Sequence, residues 1–320
     1  MFSYIRRRII HMIPLLLGIT AFSFIIIQMA PGDFFDQLKL NPQISKVTLE
    51  KMRQGFGLDK PWIVQYFHWL KNILKLDFGY SFTYHVPVFD LVKERAWNTF
   101  VLSFLSMIFI WLLAIPMGVV SAVKKDTLSD KLLSVLAFFG MSIPSFFLAF
   151  LFIFMAAKTG WLPIGGVVSL DHDSLSFFGK IIDYLKHIFI PVSVLVIGGL
   201  AGLMRLMRAN MLEVLRSQYI VTARAKGLPE YFVIYKHALR NAINPLVTIF
   251  GYQISGLLSG AALVETVTSW PGLGRLMLDA VFSQDLYLVM GSLVMSAVLL
   301  LFGNLLADVL LLVVDPRIRQ

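Results

Sequence analysis

The sequence predicts an all-α membrane protein with six transmembrane helices, and three observations carry that expectation. The 320 residues are 58% hydrophobic with a mean hydropathy of +0.76, above the roughly 45–50% apolar usage of soluble domains. The apolarity falls in six blocks, 9–30, 99–122, 132–157, 188–207, 243–264 and 286–313. Each is near the ~20 residues that cross a ~30 Å hydrocarbon core as helix. None alternates apolar and polar residues as the ~10-residue strands of a membrane barrel would.

Taken in order, Arg6, Arg7 and Arg8 precede an apolar run longer than the 7–15 residues of a signal-peptide core. Residues 1–30 therefore read as an uncleaved first transmembrane helix. Residues 31–98 are too polar for lipid and too long for a plain connection, which predicts a folded extracytoplasmic segment of short helices. Within it, PWIVQYFHWLKNIL (61–74) places Trp62, Tyr66, Trp69, Leu70 and Ile73 on one helix face behind a proline. That face suits the outer membrane interface, where Trp and Tyr concentrate, or the protein's own spans. Residues 99–313 hold the remaining five spans, and 314–320 form a cytoplasmic tail.

Pro116, Pro144 and Pro191 lie within spans, where each removes a helix hydrogen bond and kinks the helix. Gly198 with Gly202, and Gly256 with Gly260, let helix backbones approach closely in lipid, within a bundle or at a subunit interface. After the fifth span, Pro271, Gly272 and Gly274 predict a tight turn. A short amphipathic helix follows, with Leu276, Leu278 and Val281 interrupted by Arg275 and Asp279.

Six spans put both termini on one side. That side carries 15 Lys and Arg against six acids, counting Asp308 just inside the last span; the other carries 13 of each. The whole net charge of +9 thus lies on one face, which the positive-inside rule makes cytoplasmic. Topology accounts for the basic pI without nucleic acid.

Several chemistries are excluded. No cysteine is present, so disulfides, Cys-ligated zinc and thiol catalysis fall away. No P-loop, HExxH or nucleophile elbow occurs, and the six histidines are scattered without metal spacing. Asp308, with Asn304 one turn earlier, is the conspicuous intramembrane charge, and such residues are functional candidates. Alone it makes a poor proton relay and reads better as a structural polar contact. A membrane-embedded enzyme would need paired intramembrane Asp, or Ser with His, at matching depth.

The loop 205–242, between the fourth and fifth spans, carries the most information. Residues 205–218 should extend the fourth span as helix. A second helix over about 219–227 should stop at Gly227-Leu228-Pro229. A third, over about 230–242, has Phe232, Tyr235, Leu239 and Ala242 on one face and Lys236 and Arg240 off it. Thr222, Ala223, Ala225 and Gly227 leave the middle helix with little bulk, so it could sit in a groove on another protein or pack on its own spans.

These residues resemble a known family. VTARAKG (221–227) looks like the EAA loop of binding-protein-dependent ABC importers: Ala223, Gly227 and Leu239 match, while Val221, Thr222, His237 and Arg240 depart from the pattern. TARAKGLPE followed by HALRNAINP resembles permeases of the dipeptide/oligopeptide/nickel branch. So do MAPGD (29–33), FGLDKPWIVQYFHWL (56–70), FGYSF (78–82), PVFDLV (87–92), SWPGLGRLMLDAV (269–281), NLLAD (304–308) and DPRIR (315–319). The large segment after the first span resembles the "B" member of the permease pair.

The resemblance implies a type I ABC importer permease fold in a bacterial or archaeal cytoplasmic membrane. It implies a second homologous permease subunit as heterodimer partner, two cytosolic ABC ATPase subunits and an extracytoplasmic solute-binding protein. This chain would bind no cofactor, with ATP and Mg on the ATPases. Thr222, Ala223, Arg224, Ala225, Lys226, Gly227, Leu228 and Pro229 would form the coupling helix, and peptides, nickel complexes or oligosaccharides would be the cargo. Ser142, Pro144, Ser145, Gln253 and Ser255 lie mid-span; uncharged polar groups at that depth should face protein or a water-filled path, so they read as path lining or as helix glue.

Overall fold

The helices in the computed structural model, which describes residues 2–29, 31–39, 45–256 and 262–314, run past the ends of most apolar blocks and break inside two of them. The first half holds α1 (Phe2–Met29), α2 (Phe34–Leu38), α3 (Lys46–Gly55), α4 (Trp62–Ile73), α5 (Val88–Val123), α6 (Leu128–Ser142) and α7 (Ser145–Thr159). The second holds α8 (Phe177–Leu215), α9 (Gln218–Ala225), a π-helical stretch Phe232–Ala238, α10 (Leu239–Ala242), α11 (Asn244–Gly256), α12 (Ala262–Val267), α13 (Leu273–Phe282) and α14 (Leu286–Val314). Among the described residues there is no strand, only an isolated bridge between Tyr80 and Pro87.

Among the described residues four stretches, carried by α1, α5, α8 and α14, are long and apolar enough to cross a membrane, and a fifth counts if the bent pair α6–α7 is one span. The expected third span is not one kinked helix: α6 and α7 meet at 99°. Pro144 has no N–H to continue the ladder and forces the residue before it out of the helical region; Ile143 is extended at φ −93°, ψ 123°. Pro116 and Pro191 stay inside α5 and α8. The expected fifth span, 243–264, is divided between α11 and α12, and 257–261, with Gly260, lie outside the described residues.

The chain forms two compact units, Met1–Thr99 with Pro271–Phe302 and Phe100–Trp270 with Gly303–Gln320. In the first, the short helices α2, α3 and α4 lie between α1 and α5, and residues 88–98, expected in the same segment of short helices as 31–87, instead begin the long helix α5. The unit's core is aromatic: Phe56 meets Phe82 at 4.7 Å, and Phe82 meets Phe35 and Tyr287 at 5.2 and 5.4 Å. The Pro-Gly-Asp turn is closed by a reciprocal cap, the Asp36 N–H donating to Asp33 Oδ1 (2.9 Å) and the Asp33 N–H to Asp36 Oδ2 (3.0 Å). Arg53 donates to Asp33.

Asp285, fully buried, starts α14: it accepts from Ser81 Oγ (2.7 Å), Thr83 N (3.0 Å) and Leu288 N (3.2 Å). Gly79 must be glycine, since its φ is +89° and a Cβ would lie 2.9 Å from the Tyr287 ring. On α4, Trp69 is buried and the Tyr66 hydroxyl lies 3.0 Å from Thr20 Oγ1 of α1. Trp62, Ile63, Val64 and Phe67 are exposed. One face of the helix packs on the chain's own span while a second apolar face stays open.

In the second unit α8 is the axis on which α6, α7 and α10 pack. Its 39 residues span about 58 Å at 1.5 Å per residue. Close approach is set by glycines other than the expected pair. A Cβ on Gly118 would lie 2.8 Å from Met204 O, and one on Gly140 would lie 2.9 Å from Ile197 O, whereas Gly198 and Gly202 face open space.

Candidate functional site

The region from the end of α8 to Ala242 folds as helical pieces. α8 ends at Leu215, α9 covers Gln218–Ala225, and the third piece runs to Ala242 with a π-helical stretch inside it. Lys226 ends α9, and Gly227 follows at φ +74°, its N–H donating to Arg224 O at 2.9 Å. This is the left-handed helix stop that glycine favours. Arg224 then reaches across the turn to Glu230 in a fork of 2.6 and 3.2 Å, and the guanidinium holds that carboxyl below its usual range. The fork is exposed and adds little stability, but it fixes the turn's shape.

The burial pattern divides the candidate coupling residues. Ala223 is buried with Ile220 in a cluster that includes Met207, Met211, Val233 and Ala238. Thr222, Arg224, Ala225, Lys226, Gly227, Leu228 and Pro229 are exposed, with Tyr219 and Val221 beside them. So α9 packs one edge on its own chain and offers the other outward.

The face expected for the third helix is corrected. Phe232 and Tyr235 are exposed, while Val233, Ile234, Ala238 and Ala242 are buried. Hydrogen bonding from i to i+5 widens the turn, so a face counted at the α period slips round the helix. The exposed aromatics cluster instead, Tyr231 on Tyr235 at 4.7 Å, with Lys236 over Phe232 at 5.4 Å.

Beneath this loop lies a tie the sequence did not reveal. Asp130, buried at the start of α6, accepts from Arg208 of α8 through Nε (2.9 Å) and Nη2 (2.7 Å), from the Asp126 N–H (3.0 Å) and from Ser121 Oγ. Its partner is 78 positions away, and no local spacing signals such a pair. Nor did the sequence show Asp183, which accepts from Ser169 Oγ at 2.6 Å and lies 2.7 Å from His172 Nδ1.

The mid-span candidates do not gather at one point. Ser142, Pro144 and Ser145 stand exposed at the break between α6 and α7, with Ser142 Oγ donating to Phe138 O at 2.8 Å. Gln253 accepts from the Trp111 indole at 2.5 Å, a bond that links α11 to α5. Ser255 lies on α11 with its side chain outside the described residues, and Asp308, on α14, is half-buried.

The family described as "Binding-protein-dependent transport system inner membrane component" matches residues 114–320, and that described as "Binding-prot-dependent transport system membrane comp, N-term" matches residues 1–103. The chain is 42% identical over 321 residues to the oligopeptide transport system permease protein AppB of Bacillus subtilis (strain 168), covering 100% of both chains. It is 38% identical over 338 residues to the dipeptide transport system permease protein DppB of Escherichia coli (strain K12), covering 100% of this chain and 99% of that one.

Proposed function

Because the chain belongs to the binding-protein-dependent transport system inner membrane component family, we propose that it carries peptides through the cytoplasmic membrane as one six-span half of an importer's path, moved by partners that hydrolyse ATP. It is a permease subunit of a peptide ABC importer and not an enzyme; ATP hydrolysis belongs to separate subunits. Dipeptides and oligopeptides are the substrate class, in line with the names of the relatives. In our reading a second permease completes the path, two ATPases sit below, and a binding protein delivers peptide to the 31–98 side. Both termini and the 205–242 loop face the cytoplasm.

The observation that carries the coupling reading is the divided surface of α9. Its buried edge, Ile220 and Ala223, is fixed to the core around α8, while its outer edge and the Gly227 turn are exposed, with the small residues Thr222, Ala225 and Gly227 among those that face outward. A helix held rigidly on one side can pass a push on the other to the spans it is packed against. Ser142, Pro144 and Ser145 are proposed to line the path at the α6–α7 break. Gln253, held by Trp111, serves better as a tie between helices.

The test uses Ala225→Trp in the assembled complex. Overpacking at a tight contact costs roughly 1–3 kcal/mol, which at tenfold per 1.4 kcal/mol predicts about a tenfold or greater loss of binding-protein-stimulated ATP hydrolysis. Normal stimulation would remove this surface as the ATPase contact.

A further inference from the structure

A cavity of about 560 Å³ opens in the first compact unit between the C-terminal end of α1 and the start of α14, within the 300–1,000 Å³ of small-molecule sites. Its apolar wall is shared among three helices. Ile26 and Ile27 come from α1, Val281 from α13, and Leu286, Val289 and Leu293 from α14, the last three spaced to share one helix face. From Leu286 to Leu293 this wall runs about 10 Å along α14, at 1.5 Å per residue. Ile26 and Val281 are 52% and 50% exposed, so the cavity is a slot open at its side rather than a sealed void.

The polar groups of the slot gather at one end. Gln28, Asp33, Asp36, Gln65 and Gln284 stand at the level of the Pro-Gly-Asp turn, and away from that level the lining on α1 and α14 is apolar apart from Ser23. The two carboxylates are taken by Arg53 and Lys39. The amides are only partly taken. A backbone carbonyl can only accept, so the bonds from Gln65 Nε2 to Lys60 O (2.7 Å) and Leu58 O (3.3 Å) make Gln65 Oε1 an acceptor. Gln28 meets it with Nε2 at 3.2 Å, which leaves Gln28 Oε1 over. Gln284 Nε2 donates to Pro31 O at 3.0 Å, which leaves Gln284 Oε1 over as well. Among the described residues neither oxygen has a donor.

We propose that this slot holds one acyl chain of an outer-leaflet phospholipid whose head group carries an ammonium, as phosphatidylethanolamine does. An apolar slot that ends in acceptors at a single level has the polarity of such a lipid. The tail lies between α1 and α14, and the ammonium N–H groups reach the Gln28 and Gln284 oxygens. Phosphatidylcholine carries the same tail and charge without an N–H, so the head-group bond is lost. The open side lets a chain enter from the bilayer without crossing water. Bound there, the lipid braces α1, which meets α4 through Thr20 and Tyr66, against α14. The inference rests on the reading that places residues 31–98 outside the cell.

The test uses the assembled importer in detergent with phosphatidylethanolamine or phosphatidylcholine carrying a diazirine on the same acyl chain. Photolabel mapped by mass spectrometry should fall on Ile26, Ile27 or Val289. The ethanolamine lipid should label at about one tenth the concentration the choline lipid needs, the size of one hydrogen bond to a charged group. Gln284→Leu keeps the slot and should bring the two lipids to parity; Leu293→Trp fills the slot and should remove the label. Equal labelling of the unaltered protein by both lipids, label undiminished in Leu293→Trp, or label spread evenly over the apolar helices would overturn the inference. So would efficient cross-linking of Ile26→Cys to the second permease, which would give the slot to a partner helix. Orientation is checked apart: in this cysteine-free chain, Ser45→Cys should react from outside with an impermeant thiol reagent. If it does not react and the slot still takes lipid, the outer-leaflet assignment falls with the topology. If it reacts and the slot takes no lipid, the inference alone fails.

Discussion

Ala223 and Val221 lie two positions apart on α9 and face opposite surroundings, Ala223 8% and Val221 50% exposed. Overfilling a packed site forces neighbours off their rotamers, so Ala223→Leu should destabilise the folded chain by about 1–3 kcal/mol. Val221→Ala should stay within about 0.5 kcal/mol. Thermal unfolding of the detergent-solubilised complex reads both, and an unchanged Ala223→Leu midpoint would contradict the packing described. The small-residue character of this stretch was legible in the sequence. Which small residue faced inward was not, because Ala223 is chosen by contacts with Met207 and Met211 on another helix. The third helix misleads for a different reason: periodicity analysis assumes the α turn, and Phe232–Ala238 is wound as a π-helix.

Helices in this protein are positioned by polar ties as well as by glycine approach. The Asp130–Arg208 fork joins the start of α6 to α8 where the Asp130 side chain is 5% exposed. Removing one member of a buried pair leaves the other charge uncompensated, so Asp130→Asn should cost about 3 kcal/mol. Limited proteolysis of the purified chain should then cut within 123–131 sooner than in the wild type; equal rates would show the tie to be dispensable. At this scale the sequence was a fair guide to where helices start and stop. Pro144 and Gly227 act locally, and their breaks are visible as residue types, although Pro144 splits its span where a kink was expected. Gly118 and Gly140, which lie against the backbone carbonyls of α8, belong to no repeat, whereas Gly198 and Gly202 do and make no such contact.

For the whole molecule, hydropathy gave the membrane class and the long helices α1, α5, α8 and α14, because crossing lipid constrains length and composition together. It could not show that Asp285 would hold the FGYSF segment to α14, since that depends on partners about 200 positions distant in the chain; the 99° between α6 and α7 has a local signal in Pro144, but hydropathy reads only the apolar run that continues across it. The same limit applies to function: the EAA-like loop pointed to a partner, while the surface proposed to meet it required α9 to be seen packed. The most direct measurement is labelled-peptide uptake into vesicles carrying this permease, its partner permease, the two ATPases and the binding protein. Uptake should require ATP and vanish when the ATPases are made catalytically inactive. Uptake that persists with inactive ATPases and collapses with the proton gradient would contradict the account.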